Sequence, residues 1–216
     1  MCGRYTFVAP APVFENHFEA VFREPLAPSY NAAPSQRLPV ITDAAPELIQ
    51  LFGWGLIPAW SRDLKAGPKP INARAETLAE KPSFRQLLHR RRCLVPADSF
   101  YEWQATPTGK IPHRILRPDE APFAFAGLWD EWTDRTTGEI RPTFTIITTT
   151  ANGLMAPLHA RMPVVLPTRA AERAWLRSPD PALLVPLPDA WLRAYPVSTL
   201  VNSPAHNTPD VLRPAA

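Results

Sequence analysis

Short apolar runs cut by prolines set the pattern of this chain. Gly3 to Val8 reads as a first strand, stopped at Ala9-Pro10-Ala11-Pro12 because proline cannot donate to a ladder. Val13, Phe14, Phe18, Val21 and Phe22 recur at helical spacing, which predicts a short amphipathic helix over 13–22, closed by Pro25 and Pro28. Tyr30-Asn31-Ala32-Ala33-Pro34 reads as a polar, turn-like segment. Leu38 to Thr42 and Leu48 to Trp54 read as two strands of a hairpin with a longer loop. After Gly55-Leu56-Ile57-Pro58-Ala59-Trp60, a polar loop carrying Lys65, Gly67, Pro68 and Lys69 is expected to be exposed. From 71 to 77, Ile71, Ala73, Ala75 and Thr77 alternate with Asn72, Arg74 and Glu76. An extended chain there presents the three polar groups together.

Ser83 suits the N-cap of a helix through Arg91 with Phe84, Leu87 and Leu88 inward. Cys93–Pro96 and Phe100–Trp103 read as short strands bent at Ala97-Asp98-Ser99. Phe123–Trp132, Phe144–Thr150 and Met162–Leu166 are further strands. Thr168 caps a helix carrying Ala171, Ala174, Trp175 and Leu176. A last strand near Tyr195–Val201 precedes a proline-rich tail over about 203–216. No repeat or linker divides the chain, so the pattern predicts one β-rich α+β domain over 1–216 with two or three peripheral helices.

Composition sharpens this picture. The 216 residues include 28 prolines against 8 glycines, so elements should be short and joined by rigid turns. The net charge of +3 permits contact with phosphates without demanding it. Only Lys65, Lys69, Lys81 and Lys110 are lysines; the other basic residues are arginines, whose planar fork suits phosphate, though a GC-rich genome gives the same bias. Cys2 and Cys93 form no CxxC pair and the histidines are scattered, so neither a metal nor a cofactor is expected. Two lone cysteines suit a reducing compartment. With no apolar run of about 18 residues and no signal segment, the expected location is the cytoplasm, away from membranes.

The candidate chemistry starts at Cys2, followed by Gly3, Arg4 and Tyr5. Once Met1 is removed, one residue carries both an α-amine and a thiol. The amine can condense with an aldehyde to an imine, and the thiol can close on the imine carbon to a thiazolidine. An α-amine titrates at about 7.7–8.0 and a thiol at about 8.5, so both reactive forms are accessible. Glu102 lies in Phe100-Tyr101-Glu102-Trp103. Buried there, it would have a raised pKa suited to proton transfer; facing solvent, it would be an ordinary strand residue. His159 and Arg161 are two apart, so an extended chain aims a proton carrier and an anion holder at one surface; a plain surface loop has the same look. Asn72 and Arg74 line either a groove or the wet face of an edge strand. Trp60, in a loop, could stack on an exposed base, whereas Trp175 has core spacing. His89 is assigned no role, and Cys93 reads as packing.

Seven motifs in one order resemble the SRAP family, the SOS-response-associated peptidases. They are Met1-Cys2-Gly3-Arg4-Tyr5, Tyr30-Asn31-Ala32-Ala33-Pro34, Trp54-Gly55-Leu56-Ile57-Pro58, Asn72-Ala73-Arg74-Ala75-Glu76-Thr77, Arg92-Cys93-Leu94-Val95-Pro96 with Phe100-Tyr101-Glu102-Trp103, Phe125-Ala126-Gly127-Leu128-Trp129, and His159-Ala160-Arg161-Met162-Pro163. The resemblance runs from Cys2 to about Asn202. It implies mixed and antiparallel sheets forming an open barrel-like core with a few short helices around it. It also implies a DNA-repair role: sensing abasic sites in single-stranded DNA, including at junctions with duplex, and capturing the ring-opened aldehyde on Cys2. The adduct shields the lesion and is open to reversal. By the same resemblance Asn72 orients the amine and sugar, Glu102 is the acid/base carboxylate, and His159 assists proton transfer. Arg4, Arg74 and Arg161 lie near phosphates, and Pro39 with Val40 forms a wedge that unstacks the flanking base. The implied peptidase activity is removal of Met1 from the protein's own chain, which an aminopeptidase could equally perform. A monomer is expected, nucleoid-associated when bound to DNA.

Two rivals share part of this pattern. An N-terminal-nucleophile amidohydrolase, like the class II glutamine amidotransferases, also begins with Cys2 followed by glycine. A noncatalytic single-stranded-DNA-binding module would need only the aromatics and arginines. Cys2→Ser separates them, since a binder keeps its affinity and a crosslinker loses its covalent product.

Overall fold

A computed structural model of the chain describes residues 2–63, 67 and 69–215. Met1, Lys65 and Pro68 lie outside the described residues, while Gly67 and Lys69 are exposed as the loop reading expected.

The strands are β1 (Tyr5–Phe7), β2 (Val21–Phe22), β3 (Ser29–Ala32), β4 (Arg37–Thr42), β5 (Ala45–Trp54), β6 (Asn72–Arg74) and β7 (Arg92–Ala97). They continue with β8 (Ser99–Thr106), β9 (Gly109–Leu116), β10 (Phe123–Thr133), β11 (Ile140–Thr150), β12 (Arg161–Pro163), β13 (Val165–Leu166) and β14 (Arg193–Pro196). Three short helices accompany them: α1 (Ala11–Phe18), α2 (Pro82–Arg90) and α3 (Arg169–Arg177).

The larger sheet runs β12-β11-β10-β7-β4-β5-β2. β5 also pairs in parallel with β11, Gly53 against Thr143 and Trp54 against Phe144, so β5, β4, β7, β10 and β11 form a closed five-stranded barrel rather than an open one. Leu38 and Val40, Phe52 and Trp54, Cys93 and Val95, Phe123 and Phe125, and Phe144 and Ile146 share one buried cluster with Cys2 and Tyr5. Their sequence neighbours Ile41, Leu94, Ala124 and Ile147 pack in a second cluster with Phe14, Phe84 and Trp175 of the helices. Both faces of the barrel strands are therefore apolar, which explains their continuous hydrophobic runs. A second sheet, β14-β9-β8-β1-β3, carries β1 between β3 and β8 and ties the amino end into the structure.

Several expectations give way to tertiary structure. The helix expected over 13–22 ends at Phe18, where Glu19 turns left-handed (φ +54°), and Val21–Phe22 pair in parallel with Leu48–Ile49. Tyr30–Ala32 is not a turn: it belongs to β3, opposite β1. The hairpin between β4 and β5 is tight, with Thr42 opposite Ala45. β9, unmarked by any strong apolar run, pairs along its whole length with β8. Ser83 is not the cap of α2, which starts at Pro82 after Lys81 with no side-chain cap. Thr168 does cap α3, its hydroxyl accepting from the Ala171 N–H at 3.2 Å. Past β14, Thr199–Asn202 forms a 3-10 turn instead of more strand, and the tail packs down with Val211 buried.

Candidate active site

Cys2 is fully buried beside β1. Burial pushes its thiol well above the usual range, and the Glu102 carboxylate adds to the effect, so the resting group is a thiol and not a thiolate. Asn72 reaches it from β6, which is held against β11 by parallel pairing, Asn72 opposite Ile146. The Ile71 carbonyl just before it accepts from the Trp54 indole at 2.9 Å and from the Ile146 N–H at 3.0 Å. So fixed, Asn72 Nδ2 donates to the Cys2 carbonyl at 2.8 Å, while its Oδ1 is buried with no hydrogen-bond partner among the described residues.

Glu102 comes from β8, opposite His113 of β9, and is 2% exposed. Burial pushes its carboxyl above the ordinary carboxylate value, and the nearby charge of His159 pulls the other way. Glu102 thus senses both Cys2 and His159.

His159 sits just before β12. Its Nδ1 accepts the Arg161 N–H at 2.9 Å, which assigns the proton of the neutral ring to Nε2. The same Nδ1 lies 3.2 Å from the Arg161 carbonyl.

The arginines are less alike than their sequence settings. Arg4 is tied inward: Nη1 donates to Asn31 Oδ1 and to the Val201 carbonyl, both at 2.8 Å, and Nη2 to the Asn202 carbonyl at 3.1 Å. Arg161 grips Glu76 with both Nη atoms at 2.6 and 2.9 Å and also donates to the Thr148 carbonyl at 2.7 Å. Arg74 is exposed and makes no side-chain hydrogen bond or ion pair to a described residue. Trp60 is 68% exposed on a cleft of about 530 Å³ that it lines with Arg62, Pro70, Lys81 and Phe84.

Pro39 does not fit the wedge expected of it. It lies within β4 opposite Leu51, buried like Leu38 and Val40, and no base stack can reach it. Pro34, just outside β3, lines an open cleft of about 600 Å³ with Trp54, Ile71 and Lys69, next in the chain to Asn72.

Two site residues escaped the sequence reading. Tyr5 lies fully buried close to Cys2 and Cys93, with a hydroxyl that has no partner. Asn31 is buried, and its Nδ2 meets the carbonyls of Val201, Ser203 and His206 at 2.9–3.1 Å. Its position inside a quoted motif was the available signal; its partners lie some 170 residues away.

A barrel protein whose polar side chains gather around the residue next to its amino end is the class that fold and site define. The chain belongs to the SOS response associated peptidase (SRAP) family, whose profile matches residues 1–204. It is 46% identical over 225 residues to the abasic site processing protein YoqW of Bacillus subtilis (strain 168), covering 98% of this chain and 99% of that one. It is 32% identical over 223 residues to the abasic site processing protein HMCES of Xenopus tropicalis, covering 86% of this chain and 65% of the other. A crystal structure of a protein from Bacteroides thetaiotaomicron superposes with a TM-score of 0.88 at 33% identity, covering all of both chains.

Proposed function

We propose that this protein senses abasic sites in single-stranded DNA and captures the ring-opened aldehyde on Cys2 as a thiazolidine. The observation that carries the reading is the gathering of Asn72, Glu102 and His159 around a buried cysteine one residue from the chain's start. The relatives are named for abasic site processing, which supports it.

Hydrolysis of the Met1–Cys2 bond consumes one water and frees the amine. We assign this step to the protein itself, with Cys2 as nucleophile and Glu102 as proton carrier. The amine then adds to the aldehyde carbon, and Glu102, whose raised pKa lets it keep a proton, protonates the departing hydroxyl as water leaves. Because the resting sulfur is protonated, ring closure comes second: the thiol loses its proton as sulfur attacks the imine carbon, and the imine nitrogen gains one. The balance is aldehyde plus aminothiol to thiazolidine plus one water. Asn72 orients the terminus, and His159 relays protons to and from Glu102. The same groups serve the reverse reaction.

The charge distribution suits a nucleic acid. Residues 60–92 hold nine basic and three acidic residues, whereas the rest of the chain has fourteen and seventeen. Arg74 contacts phosphate and Trp60 offers a stacking platform, so Trp60→Ala should weaken single-strand binding by about 1–3 kcal/mol. Arg4 shapes the site through its bonds to the tail. The protein acts as a monomer, one domain over 1–216, on DNA in the cytoplasm.

The test mixes purified protein with a single-stranded oligonucleotide bearing one abasic site, followed by a denaturing gel and intact mass measurement. The expected product has the summed mass less one water, from a chain lacking Met1. Cys2→Ala abolishes it. Cys2→Ser, with Met1 removed by an added aminopeptidase, keeps the amine and gives only an adduct trapped by borohydride. No covalent product from a chain whose mass places Cys2 at the terminus sinks the proposal, and ammonia release from glutamine would favour the amidohydrolase instead.

A further inference from the structure

We infer that Glu76 is a built-in competitor for DNA phosphate: it occupies the guanidinium fork of Arg161 in the unbound protein and gives way when a backbone phosphate arrives. The inference rests on the reading of this surface as the single-strand site. A guanidinium fork fits carboxylate and phosphate alike, so whichever anion holds it excludes the other. Here both terminal nitrogens are taken by the two oxygens of Glu76, at 2.6 and 2.9 Å.

Three observations make Glu76 the partner that moves. Arg161 is fixed: its side chain is 16% exposed, Nη2 also donates to the Thr148 carbonyl, and its backbone N–H holds His159. Glu76 is 48% exposed and sits on one 3-10 turn, Ala75–Thr77, that has no side-chain cap. Arg74 lies close enough for its charge to act on Glu76 and makes no ion pair with a described residue, so a displaced carboxylate meets a second cation.

The fork is also incompletely satisfied. Arg161 Nε is buried with no hydrogen-bond partner, because Glu76 binds end-on across the two Nη atoms. An anion not tethered to the Ala75–Thr77 turn has the further choice of pairing through Nε and Nη2 once Glu76 has left. The gate therefore discriminates: a weak anion leaves Glu76 in place, and a strand already held at neighbouring positions displaces it. Crosslinking is thereby reserved for DNA that is properly seated.

The experiment measures noncovalent binding of the full chain to an undamaged single-stranded oligonucleotide, by fluorescence anisotropy over a range of salt. Because no covalent step is read, failure of the crosslinking proposal and failure of this one are separate results. Glu76→Gln should tighten binding by roughly two- to fivefold at low salt, the scale of one exposed ion pair. The slope of log affinity against log salt should steepen, because in the parent the freed Glu76 takes up a cation that offsets one released from the phosphates. Both gains should vanish in an Arg161→Ala background. Glu76→Asp keeps the charge but is one methylene too short to reach the fork, so it should also tighten binding, and it reads the gate if the glutamine variant melts early. Unchanged or weaker binding by both variants overturns the inference. So does a gain that persists without Arg161, which would be a general field effect.

Discussion

Asn72 holds the carbonyl of Cys2 from seventy residues away, donating at 2.8 Å through Nδ2 while Oδ1 stays buried and unpartnered. The carboxamide thus has one arm on the cysteine and, on the proposed reading, one acceptor for the amine that removal of Met1 would free. Asn72→Ala should slow crosslinking about a hundredfold at saturating oligonucleotide, the scale of one oriented polar group in a buried site. Single-turnover kinetics checks this, with oligonucleotide affinity expected to change far less than the rate.

Glu102 is the residue where function opposes stability. Its carboxyl is raised by burial, so the folded protein binds its proton more tightly than the unfolded chain does. That preference stabilises the fold fully below the unfolded value and is lost as pH rises through the folded one. Glu102→Gln should therefore melt higher than the parent at neutral pH, with the gap closing in acid. Crosslinking should fall by about a hundredfold or more. Melting curves across pH, paired with rates, test both halves.

Arg92 fastens two helices to the barrel. Its buried guanidinium donates to the carbonyls of Leu88 at the end of α2 and of Trp175 and Leu176 at the end of α3, and it pairs with Asp43 at 3.3 Å. Asp43 in turn accepts from the Trp129 indole at 3.0 Å. Arg92→Ala strands the Asp43 charge and three carbonyls, and should cost about 3–5 kcal/mol. Urea unfolding measures the loss, and hydrogen exchange should show the ends of α2 and α3 opening first.

Gly127 has no room for a side chain. A Cβ there would stand 2.8 Å from Cys93 Sγ and 2.9 Å from the Thr145 carbonyl oxygen. Gly127→Ala should destabilise by about 1–3 kcal/mol or more. Cys93→Ala in the same chain removes the sulfur but not the backbone oxygen, so it should restore only part. A double-mutant cycle in denaturant gives the shared fraction.

The site was largely legible as residue types and poorly legible as geometry. Cys2 stood out by its terminal place and Glu102 by its aromatic setting, Asn72 and His159 only through the resemblance, and the structure brings the four side chains into one neighbourhood. Arg4, Arg74 and Arg161 looked equivalent, yet one braces the tail, one stands exposed and one is gripped by Glu76. Nothing local tells an arginine what it will meet across 85 or 197 residues. Pro39 failed as a wedge for the same reason. Burial of a proline within a strand depends on its neighbours in space, and β4 lies between β5 and β7.

By itself the sequence determined the family and the grain of the fold. Prolines marked the starts of two helices, continuous apolar runs marked most barrel strands, and a cysteine in second place supplied the candidate reactive group. Only the tertiary structure decided that β5 and β11 close the barrel, that the weakly patterned β9 completes the second sheet, and that Glu102 and Asn72 arrive at Cys2. The reason is physical. A periodic pattern records which face of a segment is buried, whereas pairing between distant segments is settled by what the whole chain can pack at once.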